Sequence, residues 1–298
     1  MLTAAQFAEQ QRQLGCRIHE HGGVFWEEIH PFYCKPAFPY QCFARGTARP
    51  VRRRSMLGFS HPVPCAEQGN RRLPLMVLER EQLDGYGLSK LPSKKRNQVR
   101  RALEQCVVLP ILDLESQLEC IREINIAQAT RQERGAGAEV PASRYIQEAD
   151  AWRTQIRNEF RVGTGREWWG AFVDGHLAAY VRTHQVDGIR VIQQAKANTL
   201  YFKANPMDAL YFTVLSKAAE DAACRRIING SPLHESVNHF KRQFLFQSAE
   251  YPIYSSNVWL LEMAKRLMGK GPRSATASRA TAGEGDKTGM AFPKDPAT

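Results

Sequence analysis

The sequence has no apolar run near the ~20 residues that a membrane-crossing helix needs. Met1 to Leu14 is polar and glutamine-rich, without the apolar centre of a secretory signal. No cysteine pair stands as C-x-x-C. The seven cysteines, Cys16, Cys34, Cys42, Cys65, Cys106, Cys120 and Cys224, are odd in number and irregular in spacing. That pattern excludes a disulfide framework and suits a chain kept reduced in the cytoplasm. His19, His21, His30, Cys34 and Cys42 lie close together, but only the first two have tight ligand spacing, so they read as hairpin residues and no metal is expected. Ser231 precedes Pro232 and has no G-x-S-x-G elbow, which argues against a hydrolase triad. No repeat at a solenoid period is present.

What is present is ordinary globular composition with a surplus of positive charge. The 298 residues are 43% hydrophobic and 24% charged, with 41 Lys+Arg against 30 Asp+Glu, a net charge of +11. The surplus is local. Between Val51 and Arg101 there are twelve basic and four acidic residues, so most of it lies in one sixth of the chain. Such a field attracts phosphates, nucleic acid or anionic lipid, although a solvated basic face is the commoner reason for a basic run.

The pattern of elements predicts an α/β (α+β) chain. Short strands are expected at Cys16–Ile18, Gly23–Trp26 and Leu73–Leu78, with loop and edge structure over the proline-rich Tyr33 to Pro64. A helix over Lys94 to Gln105 precedes a β-branched strand at Val107–Leu112. Helices follow from about Ser116 and over Ala142 to Phe160. Asp174-Gly175 between apolar runs marks a hairpin of Trp168–Val173 with His176–Arg182, and Asp187-Gly188 leads to a third strand, Ile189–Ala195. Asn205 and Pro206 open a long helix to about Cys224. Strand Arg225–Asn229, helix Glu235 to Phe244, strand Tyr251–Tyr254 and helix Trp259–Met268 complete the order. From Gly269 the chain lacks large apolar residues and reads as a disordered tail.

Three pieces of this order resemble the FemABX-like branch of the GNAT acyltransferase superfamily, which holds peptidyltransferases and acetyltransferases. They are Leu91-Pro-Ser-Lys-Lys-Arg-Asn-Gln-Val-Arg-Arg-Ala-Leu before its strand, the Asp174-Gly175 hairpin with Pro206-Met-Asp-Ala-Leu, and Ile228-Asn-Gly followed by Asn238-His-Phe-Lys-Arg-Gln-Phe. They cover about residues 88–255. Two departures stand out: Leu245 where the family commonly has Gly, and no glycine-rich coenzyme A loop before Pro206.

The resemblance implies a GNAT-like mixed central sheet flanked by helices, with a reduced N-terminal lobe at 1–112, an acyltransferase lobe at 113–268 and a tail at 269–298. It implies an N-acyltransferase that moves an acyl or aminoacyl group to an amine by direct attack, with acyl-CoA or aminoacyl-tRNA as donor. Lys241 would hold a phosphate or stabilise developing charge, or be a solvated lysine beside Phe240. The backbone N–H groups from Gln193 to Lys196 would polarise the carbonyl, and His234 would supply a base. Lys203, Asn205, Met207, Asn238 and Arg242 would meet the donor. Lys94, Arg96 and Arg100 would grip a phosphorylated or anionic acceptor, or tRNA. Stable membrane insertion is not expected. The rival class is an inactive GNAT-like scaffold that binds RNA or another polyanion.

Overall fold

The computed structural model describes residues 2–134, 140–163, 165–232 and 234–257. The last expected helix and the expected tail lie outside these. Helix α1 (Ala4–Gln13) leads into β1 (Ile18–His21), β2 (Val24–His30) and β3 (Tyr33–Pro36). Then come β4 (Gly58–Pro62), β5 (Arg71–Glu79), α2 (Arg80–Leu83), α3 (Ser93–Gln105) and β6 (Val107–Pro110). Helices α4 (Leu118–Glu133), α5 (Ala142–Gln147) and α6 (Ala149–Arg161) precede β7 (Arg166–Val173), β8 (His176–Val186) and β9 (Ile189–Ala197). A 3-10 segment, Thr199–Ala204, joins β9 to α7 (Pro206–Glu220). The rest is β10 (Arg226–Ile228), α8 (Glu235–Gln243) and β11 (Gln247–Ser255).

Among the described residues the eleven strands form one mixed sheet, in the order β1-β2-β3-β4-β11-β5-β10-β9-β8-β7-β6. The sheet runs on across residue 112, the expected lobe boundary, because β5 lies between β11 and β10. Helices cover both faces. Met76, Leu78, Ala179, Val181, Ile192 and Ile227 pack under α3, α7 and α8. Their neighbours in sequence, Leu75, Val77, Tyr180 and Val191, turn to the opposite face, under α1 or α4 to α6.

Both Asp-Gly turns form. Asp174 (φ 49°) with Gly175 (φ 78°), and Asp187 (φ 46°) with Gly188 (φ 79°), place both central residues in the left-handed region that a two-residue hairpin requires. The expected single helix over Ala142 to Phe160 is two helices, because Glu148 (φ −107°, ψ 32°) leaves the helical range. In the first of them Tyr145 is buried and Ile146 is exposed. Strands β3 and β4 lie in the stretch expected as loop and edge structure, with their prolines, Pro36 and Pro62, at strand ends where a missing N–H is tolerated. Helix α1 is capped by Thr3 and Gln6: the Gln6 N–H donates to Thr3 Oγ1 (3.2 Å) and the Thr3 N–H to Gln6 Oε1 (2.9 Å).

Candidate active site

The sheet opens beside β9. This strand pairs in parallel with β10 only from Ile189 to Val191. Beyond that point the β10 chain follows β5, with the Asn229 N–H donating to Met76 O (2.9 Å) and the Met76 N–H to Gly230 O (2.8 Å). On the other side, β9 carries a bulge. Arg182 opposes Gln194 and Thr183 opposes Ile192, which leaves Gln193 as the extra residue. After the bulge the Asn198 N–H donates to Ala178 O (2.8 Å). Antiparallel alternation then turns Gln194 and Lys196 toward β8 and the Ala195 N–H toward the parted side. So within the expected Gln193–Lys196 stretch, Ala195 presents the available donor. The Gln193 side chain is exposed and bonds the buried His184, whose imidazole burial drives down to about 3.

Lys241 is not solvated. It is 5% exposed, and its Nζ donates to the carbonyl of Asn229 (2.5 Å), at the end of β10. Burial pulls its amine down to about 8. Asn229 Nδ2 donates to the Tyr211 hydroxyl (3.0 Å). Phe240 stands edge-on to the Tyr211 ring at 5.0 Å, and Phe244 lies 5.5 Å from it. A second buried lysine, Lys95 of α3, ion-pairs with Asp208 of α7 at 2.9 Å and sits over the Phe240 and Phe244 rings at 5.0 and 5.2 Å. Burial raises the Asp208 carboxyl and the Lys95 ammonium partly offsets it. The sequence reading missed this pair, yet a signal was present: Lys95 shares a helical stripe with Val99 and Ala102, both buried.

The start of α7 differs from a phosphate-binding helix start. Asn205 is left-handed (φ 52°, ψ 47°), and its side chain does not cap the helix. Pro206 has no N–H, and the Asp208 and Ala209 N–H groups already donate to Asn205 O (2.9 and 3.4 Å). Lys203 is exposed beside it, and Met207 packs half-buried on the core. Asn238 is buried in α8, and His234 is exposed at that helix's N-cap. Arg242 is exposed and paired with Glu235.

Much of the basic region is committed to the fold. Arg96 donates to the carbonyls of Ser89 (3.1 Å) and Leu91 (3.2 Å). Arg80 pairs with Asp84 (2.7 Å) and caps the end of α7 through the carbonyls of Ala219, Asp221 and Cys224. Arg72 pairs with Glu250 (2.6 Å). Lys94, Arg100 and Arg101 remain exposed on α3.

A further cluster, absent from the sequence reading, lies on the opposite face of β9. Lys196 Nζ donates to Asn125 Oδ1 of α4 and to the Tyr145 hydroxyl of α5 (3.2 Å). The Tyr180 hydroxyl donates to the same Asn125 Oδ1 (3.2 Å) and lies 3.3 Å from Gln194 Oε1. Beside it the buried Arg182 pairs with Glu159 and covers Trp168 at 5.2 Å. Among the described residues no group of three His, Cys, Asp or Glu could hold a metal ion, and no helix is long and apolar enough to cross a membrane.

The sequence matches no protein-family model and no curated protein. Solved structures do match. FemX aligns over 89% of this chain and 93% of its own, at 10% identity and a TM-score of 0.58. The C-terminal domain of an Agrobacterium fabrum protein described as a lysylphosphatidylglycerol synthetase aligns over 91% of this chain and 94% of its own, at 12% identity and 0.55. L-PGS from Bacillus licheniformis aligns over 91% and 99%, at 10% and 0.52. At these identities the likeness is one of fold, and this chain has a GNAT/FemABX-like fold.

Proposed function

We propose that the chain is a transferase that passes an acyl or aminoacyl group to an amine by direct attack. The observation that carries this reading is the parting of β9 from β10 beside a bulge, which leaves a backbone N–H without a strand partner inside the sheet. An N–H fixed in that way is a preorganised donor for the oxyanion that forms when an amine adds to a carbonyl. Ala195 supplies it, and the side chains on that face, Ala195 and Ala197, are small and pack on the α7 core. Lys241 ties the end of β10 to α8 and keeps the strands apart. The exposed cations Lys203 and Arg242 are the contacts proposed for donor phosphates. Asn205, Met207 and Asn238 shape that side, and His234 stands at its rim. Lys94 and Arg100 serve an anionic acceptor, or tRNA, with Arg96 holding their helix start.

The donor is acyl-CoA or aminoacyl-tRNA. The α7 start, short of free N–H groups, favours the latter. The name under which one structural neighbour is described, lysylphosphatidylglycerol synthetase, joins an amino acid to an anionic lipid, which supports an aminoacyl donor and an anionic acceptor here.

The test uses purified protein, radiolabelled acyl-CoA and charged tRNA, and a panel of amines. Transfer of label from either donor is the expected result. No transfer from both refutes the reading. Steeply salt-dependent RNA binding without transfer would support the scaffold alternative.

A further inference from the structure

We infer that the turn at Phe32 and Met56, with the arginines beside it, docks this protein on the surface of a membrane that carries anionic lipid, without crossing it. The inference does not depend on the transferase reading, and it concerns another part of the sheet. Strands β4, β11 and β5 stand between β3 and the parting of β9 from β10.

Phe32 is costly where it stands. It follows Pro31 in the two-residue link between β2 and β3, where His30 opposes Tyr33. Its φ is 63°, the left-handed region that Gly or Asn normally fills at the second place of such a turn. The ring gains little from the core in return, since Phe32 is 42% exposed. The turn is fastened on both sides: the Phe32 N–H donates to Glu28 Oε1 (3.2 Å), and the Leu57 N–H donates to Phe32 O (3.0 Å). The second bond makes Met56, 57% exposed, a neighbour of Phe32. Two large apolar side chains thus stand outward together, one of them at a backbone position that folding alone does not ask for.

The charge is next to them. Arg52, Arg53 and Arg54 form a 3-10 turn ahead of Met56, and all three are exposed. Arg54 lies 3.8 Å from Glu28, the carboxylate that also holds the Phe32 N–H. Among the described residues no acid pairs with Arg52 or Arg53. Apolar tips flanked by free guanidinium groups suit the boundary of an anionic bilayer, where the tips enter the headgroup layer and the arginines meet phosphate. RNA also attracts arginine, but it is gripped by aromatic faces that stack on bases, and Met56 offers none.

The described residues end at the same place. The Ser256 N–H donates to Phe59 O (2.9 Å), and a Cβ at Gly58 would lie 3.1 Å from Ser256 Oγ and 3.3 Å from Asn257 Cβ. Gly58 in turn opposes Tyr33, the residue after Phe32. The sequence that follows Asn257 brings Trp259, Leu260, Leu261 and Met263 with Lys265 and Arg266, the mixture of apolar and basic residues that favours an anionic interface.

The experiment is co-flotation of the full chain with vesicles of phosphatidylcholine alone, or with about 30% phosphatidylglycerol, at about 0.1 M and about 0.5 M salt. The parent should float with the anionic vesicles at low salt and not with the neutral ones. Arg52→Gln with Arg53→Gln should weaken binding about 25-fold, at about fivefold for each arginine. Phe32→Asn with Met56→Gln should weaken it about tenfold or more. Asn suits the left-handed turn, so thermal melts of that variant should fall at or above the parent. Arg101→Gln with Lys217→Gln removes the same charge from exposed places on α3 and α7 and should stay within about twofold of the parent. No binding of the parent to anionic vesicles would overturn the inference. So would binding that neither Phe32→Asn with Met56→Gln nor the arginine pair weakens, or binding that only the arginine pair weakens, which would be attraction without docking of the apolar tips. Loss of binding to a tRNA pool in both patch variants, with vesicles ignored, would make this an RNA surface instead.

Discussion

Lys241 makes a stability prediction that can be read without knowing the substrate. Its amine is 5% exposed and burial lowers it from 10.5 to about 8. Between those values the native chain has released the proton and the unfolded chain still holds it. Unfolding then takes up a proton, so stability rises with pH across that window and the gain is lost as pH falls through about 8. One pKa unit is worth about 1.4 kcal/mol, so the full shift contributes about 3.5 kcal/mol, of which about 2.5 kcal/mol is present by pH 10. Other buried groups work in the opposite direction. Burial raises Tyr40, Tyr211 and Tyr251 to about 12 and Cys106 to about 11, and each subtracts stability as pH climbs.

The perturbation is therefore Lys241→Met, and the quantity to plot is the difference between parent and variant. Urea unfolding followed by tryptophan fluorescence at several pH values from 7 to 10 supplies both. Met fills a similar volume but leaves the Asn229 carbonyl without its donor, a cost of about 1–3 kcal/mol that does not depend on pH. The parent should gain about 2.5 kcal/mol on the variant between pH 7 and pH 10. A difference that stays flat within about 0.5 kcal/mol would refute the reasoning, since it would mean the Asn229 carbonyl holds the proton against burial.

The Lys95–Asp208 pair tests whether this buried charge serves stability or geometry. Either Lys95→Met or Asp208→Asn alone should cost about 3–5 kcal/mol in urea unfolding, because each strands one partner, whereas Lys95→Met with Asp208→Leu should come close to the parent. A double variant as unstable as the sum of the singles would defeat that account. Leu245 has φ 71° and takes the place where the resembled family has Gly. In a thermal melt Leu245→Gly should be more stable than Leu245→Ala by about 1 kcal/mol, the reverse of their order at an ordinary position; Ala above Gly would show that the left-handed backbone costs nothing. Gly188→Ala should be destabilising by more than Gly175→Ala, since a Cβ at Gly188 meets Ala223 O at 2.8 Å and Arg225 Nε at 2.7 Å, while Gly175 faces open space. Equal melts for the two would contradict that geometry.

What could be read in advance depended on how local its cause was. The Asp-Gly hairpins, the Pro206 start of α7 and the helix over α3 follow from neighbours a few residues apart, and all are there. The capping box of α1 was equally local, in Thr3 and Gln6, but composition alone made that stretch look featureless. The place of β5 between β10 and β11 has no local cause, because it depends on pairings with residues more than 140 positions away in sequence. The site divides along the same line. Lys241 was named from a motif. Lys95, Asn125 and Asp208 each sit on an apolar helical stripe, beside Val99, Ile121 and Tyr211, where a polar residue must find a partner that only the folded chain supplies.

Charge shows the difference most sharply. Counted along the sequence, Val51 to Arg101 is a positive field. In the fold, Arg72, Arg80, Lys95 and Arg96 are bound to carboxylates or carbonyls of the same chain, and the outward field narrows to a few residues on α3 and near Arg52 and Arg53. A partner that reads this surface therefore meets the exposed side of α3, while Lys95 and Lys241 are withdrawn from water. Desolvation makes an amine sensitive to what touches it, and burial alone brings the Lys241 amine down to about 8, a change that an exposed lysine on a basic helix does not undergo.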